Sequence, residues 1–365
     1  MSAEPIAPPV EEEAAADQPA TVGRRNRRFS PARLLEVHSL LLLSLLLFLV
    51  FSLLLPSTFP TAFNIRSILG TKAIIAFLAL AVMVPLAAGQ FDLSVGYALG
   101  LTQVLVIGLQ TKSDIAWPIA VLLVILVGAL IGLVNGLLVT VAKIDSFIAT
   151  LATGTFVYGL SSWYTGGIQI VGALPHSYTQ IANIQVTEFL PLPALFVLAA
   201  ALVLYVVLEF LPTGRRLYAL GANPRAAELV GVPARRYIIC SFVSAGVLVG
   251  IAGAILGAQL QAGVPGLGPE YLLPAFVAAL LGATSVRPGR VNVWGTVIAV
   301  LLLAIGIAGL QQLGAKFFVE PLFNGATLAI AVGLAGFASR QRLRRGASDP
   351  QQGGAPARPG GGMST

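Results

Sequence analysis

Between Leu34 and Ala338 the chain carries 21 charged side chains in 305 positions, and they sit in short breaks between long apolar runs. Such a segment is solvated by lipid. A soluble domain holds roughly 25% charged residues, whereas this chain has 10%, with 56% hydrophobic. That balance excludes an ordinary water-soluble enzyme. Crossing a hydrocarbon core of roughly 30 Å takes a helix of about 20 residues. Lipid offers no partner for a bare peptide group, so each crossing must satisfy its own backbone. The runs predict ten helices, at about 36–55, 73–89, 94–110, 117–141, 147–166, 191–211, 237–260, 272–286, 293–313 and 322–338. The fold class expected is an all-α polytopic membrane protein, its transmembrane domain spanning 34–338.

Two flanking stretches differ in composition. Residues 1–33 are rich in Ala, Pro, Glu and Arg, and 339–365 in Gly, Pro, Arg and Gln. Neither has enough apolar surface to offset the entropy of ordering, so both are expected to be disordered tails. Arginines before a Leu-rich run resemble a signal sequence, but Leu40–Leu55 exceeds the usual apolar region and no Ala-x-Ala site follows. An even number of crossings puts both tails on one side. With the tails cytoplasmic, 18 Lys and Arg fall inside and 4 outside, the asymmetry that sets orientation in membranes. The net charge of +7 therefore reads as membrane topology. A nucleic-acid binder would gather its basic residues with aromatics on a folded face, and this chain has no such cluster. The single cysteine, Cys240, allows no disulfide within the chain. His38 and His176 are too few and too far apart for a metal site.

The longest inner-side break, 212–236, reads PTGRRLYALGANPRAAELVGVPARR. Asn223 followed by Pro224 writes a helix start, since Asn can cap free N–H groups and proline lacks the donor that the first turn leaves unpaired. Gly231 suits a left-handed C-terminal position and Pro233 stops continuation. A helix of two turns is marginal alone, so something must hold it. It either rests on lipid headgroups or docks a cytosolic subunit.

That loop resembles the coupling-helix loop of the ribose-type permeases of bacterial ABC sugar importers, through Gly214, Arg215, Tyr218, Ala219, Gly221, Asn223, Ala226, Ala227 and Gly231. Three further stretches are similar to the same family in the same order: Asp92–Gly96 (DLSVG), Asn135–Thr153, and LGATS with Gly289, Gly295 and Thr296 after Glu270. Where family members often have a Gly-rich turn, this chain reads SVRPGRVNVWG, with Arg287, Pro288 and Arg290. The resemblance implies a non-catalytic membrane subunit in the bacterial plasma membrane. Its expected partners are a cytosolic ATPase, an extracytoplasmic solute-binding protein and a second permease copy or homologue. No cofactor is expected on this chain, ATP and magnesium being bound by the ATPase. The chain has no G-x-x-x-x-G-K-[ST] phosphate loop, in keeping with that division. By the same resemblance, 223–231 would enter a groove of the ATPase, with Arg225 and Glu228 at the rim and Ala226, Ala227 and Leu229 packed.

Polar residues inside apolar sequence are the other candidates. Asp92 is expensive in lipid and so suggests function; the favoured reading is that Asp92 or Ser94 caps the third helix, a role compatible with function. Asn135, Gln259, Glu270 and Thr284 could bond a polar solute along a path, or pack between helices. Gly128, Gly132 and Gly136, with Gly246/Gly250 and Gly253/Gly257, have the four-residue spacing that lets helix backbones approach. Residues 73–110 and 272–313 both read as helix, Gly-containing turn, helix, a weak internal repeat. Rival readings are a permease for branched-chain amino acids or nucleosides and an ion-coupled secondary transporter. The latter needs a buried ionisable residue, and only Asp92 and Glu209 are available.

Overall fold

The computed structural model describes residues 31–329 and Gly333. Among these the chain is helical, with two isolated antiparallel bridges, Ile170 to Gly263 and Gln185 to Pro191, and no strand. The helices are α1 (Pro31–Leu54), α2 (Ala62–Ala87), α3 (Ser94–Thr111), α4 (Trp117–Thr140), α5 (Ser146–Thr165), α6 (His176–Asn183) and α7 (Leu192–Tyr205). Then come α8 (Pro212–Ala222), α9 (Pro224–Leu229), α10 (Ala234–Leu260), α11 (Leu272–Gly282), α12 (Val293–Gln312) and a helical stretch α13 at 319–329. A π-helical turn, Val206–Phe210, extends α7, and a 3₁₀ turn, Gly268–Tyr271, precedes α11.

Helices stand at nine of the ten expected places and over the described part of the tenth, and among the described residues six are long and apolar enough to cross a membrane: α2, α3, α4, α7 with its π turn, α10 and α12. The others fall short for separate reasons. Two shorter apolar helical stretches, His38–Leu54 and Gly268–Gly282, stand among the described residues, and α5 spends seven of its positions on Ser and Thr. The expected tail 1–33 overlaps α1 by three residues, because Pro31, with φ preset for a first helical turn, starts the helix there. The rest of that tail, residues 339–365, and 330–332 and 334–338 of the expected span 322–338 lie outside the described residues.

The centre of the fold is α2. From Leu78 to Met83 no side chain has accessible surface, and α7, α10, α11 and α12 surround it. A helix apolar on every side is buried in a core or spans a membrane, and from Ala73 to Met83 every side of α2 is covered by protein. Along one flank, α4 and α10 run antiparallel at backbone distance. A Cβ on Gly128 would sit 2.2 Å from the Gly246 carbonyl oxygen, and one on Gly132 2.1 Å from that of Phe242. Only glycine permits this approach, which extends the contact over three turns. Gly253 and Gly257 do the same on another face of α10, against Thr102 and Val106 of α3.

Two features position the functional regions. The turns joining α2 to α3 and α11 to α12 lie at the same end of the molecule, and both touch α8. The hairpins themselves differ, since α11 and α12 pack along each other while α2 and α3 scarcely meet. At the other end the chain leaves α10 and descends without regular structure. Gln103, fully buried on α3, donates to the Ala262 carbonyl and accepts from the Val264 amide at 3.2 Å. Its side chain thus replaces the backbone partner that this stretch lacks. Gly268 then packs on Gly96 and Gly100, and a Cβ on Gly96 would fall 2.9 Å from Leu272.

Candidate functional site

The inner-end loop is two helices, not one. Sequence reading found α9 from its punctuation and missed α8, whose signal is amphipathic: Gly214, Leu217 and Leu220 are buried and Arg215 and Arg216 are exposed. Asn223 caps α9 as its identity suggests, its Oδ1 accepting from the Ala226 amide at 3.0 Å. Gly231 terminates the loop at φ 82°, where a side chain would strain the backbone.

The residues of this loop divide into anchors and an outward face. Gly214 lies against the backbone of Leu208, and Gly221 against Ala87 and Gly89, each so close that a Cβ would fall within 2.3 Å of a carbonyl oxygen. Ala227 is buried within the chain, so it holds α9 down and is not part of any face offered to a partner. Tyr218 is half-buried and donates to the Val291 carbonyl at 3.0 Å. Arg215, Arg225, Ala226 and Glu228 point outward. With them are two bare apolar side chains, Leu229 at 85% exposure and Val230 at 80%. Both stand in the break between spans.

A charged clasp ties this loop to the α11–α12 turn. Glu209 accepts from Arg287 and, at 2.6 Å, from Arg290. The Arg290 guanidinium also lies 3.6 Å from the Tyr218 ring centroid. Arg287 and Arg290 are the residues that depart from the Gly-rich turn of the resembled family, and Glu209 supplies their counter-charge. Burial raises the Tyr218 hydroxyl above its ordinary value, while Arg290 opposes the shift. Asn292 completes the turn, capping α12 through the Gly295 amide at 2.8 Å and bonding the carbonyls of Gly282, Ser285 and Arg290.

The interior polar residues do not converge. Asp92, Ser94 and Asn135 form one buried chain: Asn135 donates to Ser94 Oγ at 2.7 Å, and Ser94 Oγ and N–H both donate to Asp92 Oδ1, at 2.6 and 3.0 Å. Asp92 thus satisfies the first amide of α3, and Leu93 occupies the cap position. Burial raises the Asp92 carboxyl to about 6, against the lowering effect of the Ser94 bonds. Gln259 stands apart, donating to the Gly70 carbonyl at 3.0 Å. Thr284 bonds back to Leu281. Glu270 is exposed on the 3₁₀ turn. A recess of about 1010 Å³ between α4, α6, α7 and α10 is lined by groups such as Phe196, Val203, Val247 and Ile251. It offers a polar solute almost nothing to bond. Among the described residues no cluster of His, Cys, Asp or Glu could hold a metal ion.

A helical bundle of apolar spans, with a capped and anchored knob projecting at the end where its chain reversals meet, defines a polytopic membrane protein. The chain belongs to the family described as branched-chain amino acid transport system / permease component, which matches residues 64–335. It is similar to the ribose import permease protein RbsC of Bacillus subtilis (strain 168), 37% identical over 287 residues, covering 79% of this chain and 88% of that protein. It is also similar to the autoinducer 2 import system permease protein LsrD of Escherichia coli (strain K12), 30% identical over 263 residues, 71% of this chain and 79% of that one. No solved structure matches. The protein is accordingly a multi-pass integral membrane protein of the bacterial inner membrane.

Proposed function

We propose that this chain is the permease subunit of an ATP-driven importer for a monosaccharide, such as ribose or a related pentose or hexose. The observation that carries the reading is the α8–α9 loop. Leu229 and Val230 are presented to water by a short helix that is capped by Asn223 and anchored through Ala227, Gly221 and Tyr218. Bare apolar groups on a rigid support are what a helix-binding groove on another protein takes up. The cytosolic ATPase supplies that groove, binds ATP and magnesium, and moves the loop as it closes and opens. Motion then reaches the spans through the contacts of α8 with the α2–α3 and α11–α12 turns.

Ten crossings with both termini cytoplasmic fit the 18 to 4 division of basic residues. An extracytoplasmic binding protein delivers the solute, and a second permease copy or homologue closes the path. The ribose import of RbsC supports the substrate class. The family description names branched-chain amino acids instead, and this is the alternative substrate. Asp92 Oδ1 is engaged at the start of α3, accepting from the Ser94 amide and hydroxyl.

The test is uptake in proteoliposomes holding this chain with its ATPase and binding protein. Radiolabelled ribose should accumulate only with ATP, persist with a protonophore and be unaffected by leucine. Uptake that follows the proton gradient refutes the reading, and competition by leucine transfers it to amino acids.

A further inference from the structure

We infer that Glu270 and Tyr158 line the solute path as contacts for a polyhydroxylated substrate, a statement that rests on the transport reading above. The route of the chain from Gln261 to Tyr271 is the starting point. Gly268 packs on Gly100 and Gly96 of α3. At 1.5 Å per residue these lie about 16 and 22 Å below the outer end of α3 at Thr111. The segment therefore penetrates more than half of a hydrocarbon layer of roughly 30 Å without being helical over most of its length. Irregular backbone persists at that depth only where protein covers it or where it lines a water-filled cavity. Gln103, Ile170 and α3 cover one side.

The other side carries Glu270, exposed and with no hydrogen bond or ion pair from its carboxylate among the described residues. An unpaired carboxylate at that depth cannot face lipid, so it faces water. Tyr158 of α5 lies beside the same segment, its hydroxyl 3.6 Å from where a Gly266 Cβ would be. It too is exposed and makes no hydrogen bond among the described residues. Helix α3 floors the gap, packing against α5 on one side and the 3₁₀ turn on the other. The free face of α5 continues it with Thr155 and Gly159, the latter with nothing within 4 Å. A carboxylate acceptor and a phenol beside one irregular segment suit hydroxyl groups, which both donate and accept. Glu270 was among the residues singled out in the sequence; Tyr158 was not, because one tyrosine in an apolar helix carries no signal until the re-entrant segment is placed beside it.

Cys240 is the chain's single cysteine, so Cys240→Ser gives a clean background for cysteine accessibility. Glu270→Cys, Tyr158→Cys and, as a lipid-facing control, Leu126→Cys are placed in the complete complex in proteoliposomes and treated with a membrane-impermeant methanethiosulfonate. Thiols at 270 and 158 should react at least about tenfold faster than the one at 126, because only a hydrated thiol ionises readily, and ribose should slow both. A Tyr158→Phe variant should lose several-fold in uptake while ATP hydrolysis stimulated by the binding protein continues. Labelling at 270 and 158 no faster than at 126, or labelling that ribose leaves unchanged, overturns the assignment. An unmodified complex that fails to import ribose overturns the transport reading instead, whatever the labelling shows.

Discussion

Leu229→Ala separates the docking role of α9 from its role in the fold. Leu229 is 85% exposed, so truncation removes no internal contact. A substitution of this kind on a free surface changes stability by no more than about 0.5 kcal/mol, and alanine suits a helix at least as well as leucine. Docked in a groove, however, the side chain loses three carbons of burial. At about 0.8 kcal/mol per methylene group and near-complete burial, that is about 2 kcal/mol, or roughly 30-fold in the dissociation constant. Val230→Ala adds about 1.5 kcal/mol on the same scale, so the double variant should bind about 200- to 400-fold more weakly if the two add. The assay titrates the purified ATPase onto the chain in lipid nanodiscs and records the melting temperature of the chain alone. The expected result is a large loss of affinity with an unmoved melting temperature. Unchanged affinity refutes docking through α9. A melting temperature that falls with affinity shows that Leu229 is covered by this chain itself.

The remaining predictions concern the supports of that loop and the buried acid. Glu209→Gln leaves Arg287 and Arg290 beside each other without a counter-charge; both are about a third to a half exposed, so the cost is about 1–2 kcal/mol, well below that of a fully buried pair, read as a drop in melting temperature. Gly132→Val drives a side chain into the Phe242 carbonyl and should separate α4 from α10, seen as loss of monodisperse protein on size exclusion. Asp92 titrates near 6 when folded against 3.8 when free, so the folded chain holds a proton that the unfolded chain has released between those values. Burying its charge thus costs stability progressively as pH rises from about 4 to 6, reaching about 3 kcal/mol above that. Asp92→Asn keeps an acceptor for Ser94 and should raise the melting temperature at pH 7.5 but not at pH 4, with ATP-driven uptake preserved. Lost uptake with an intact fold would instead assign the carboxylate a role in transport.

Much of the molecule was legible because its signals are local. Apolar run length located α1 to α5, α7 and α10 to α12, since each span needs only its own residues to satisfy its backbone. Asn223, Pro224 and Gly231 spelled out α9 for the same reason, and the four-residue glycine spacing marked the faces that bring α4 and α10 together. What sequence could not supply was which residues meet across long separations. Arg287 and Arg290 read as an unexplained departure in a turn until Glu209, some eighty positions earlier, was found between them. Ala227 was expected to pack in a partner's groove, yet the fold buries it against this chain. Gln103 was one amide in an apolar helix, and nothing near it in the chain foretold that it holds the descending segment after α10.

Hydrophobicity and helix punctuation are properties of a residue and its few neighbours, so the sequence alone determined that this is a helical membrane protein with a capped knob at one face. The knob's orientation, its two anchoring turns and the depth reached by Glu270 depend on close approaches between distant backbones. Those approaches are decided by where glycine permits contact once all the helices have packed, and only the tertiary structure contains that information.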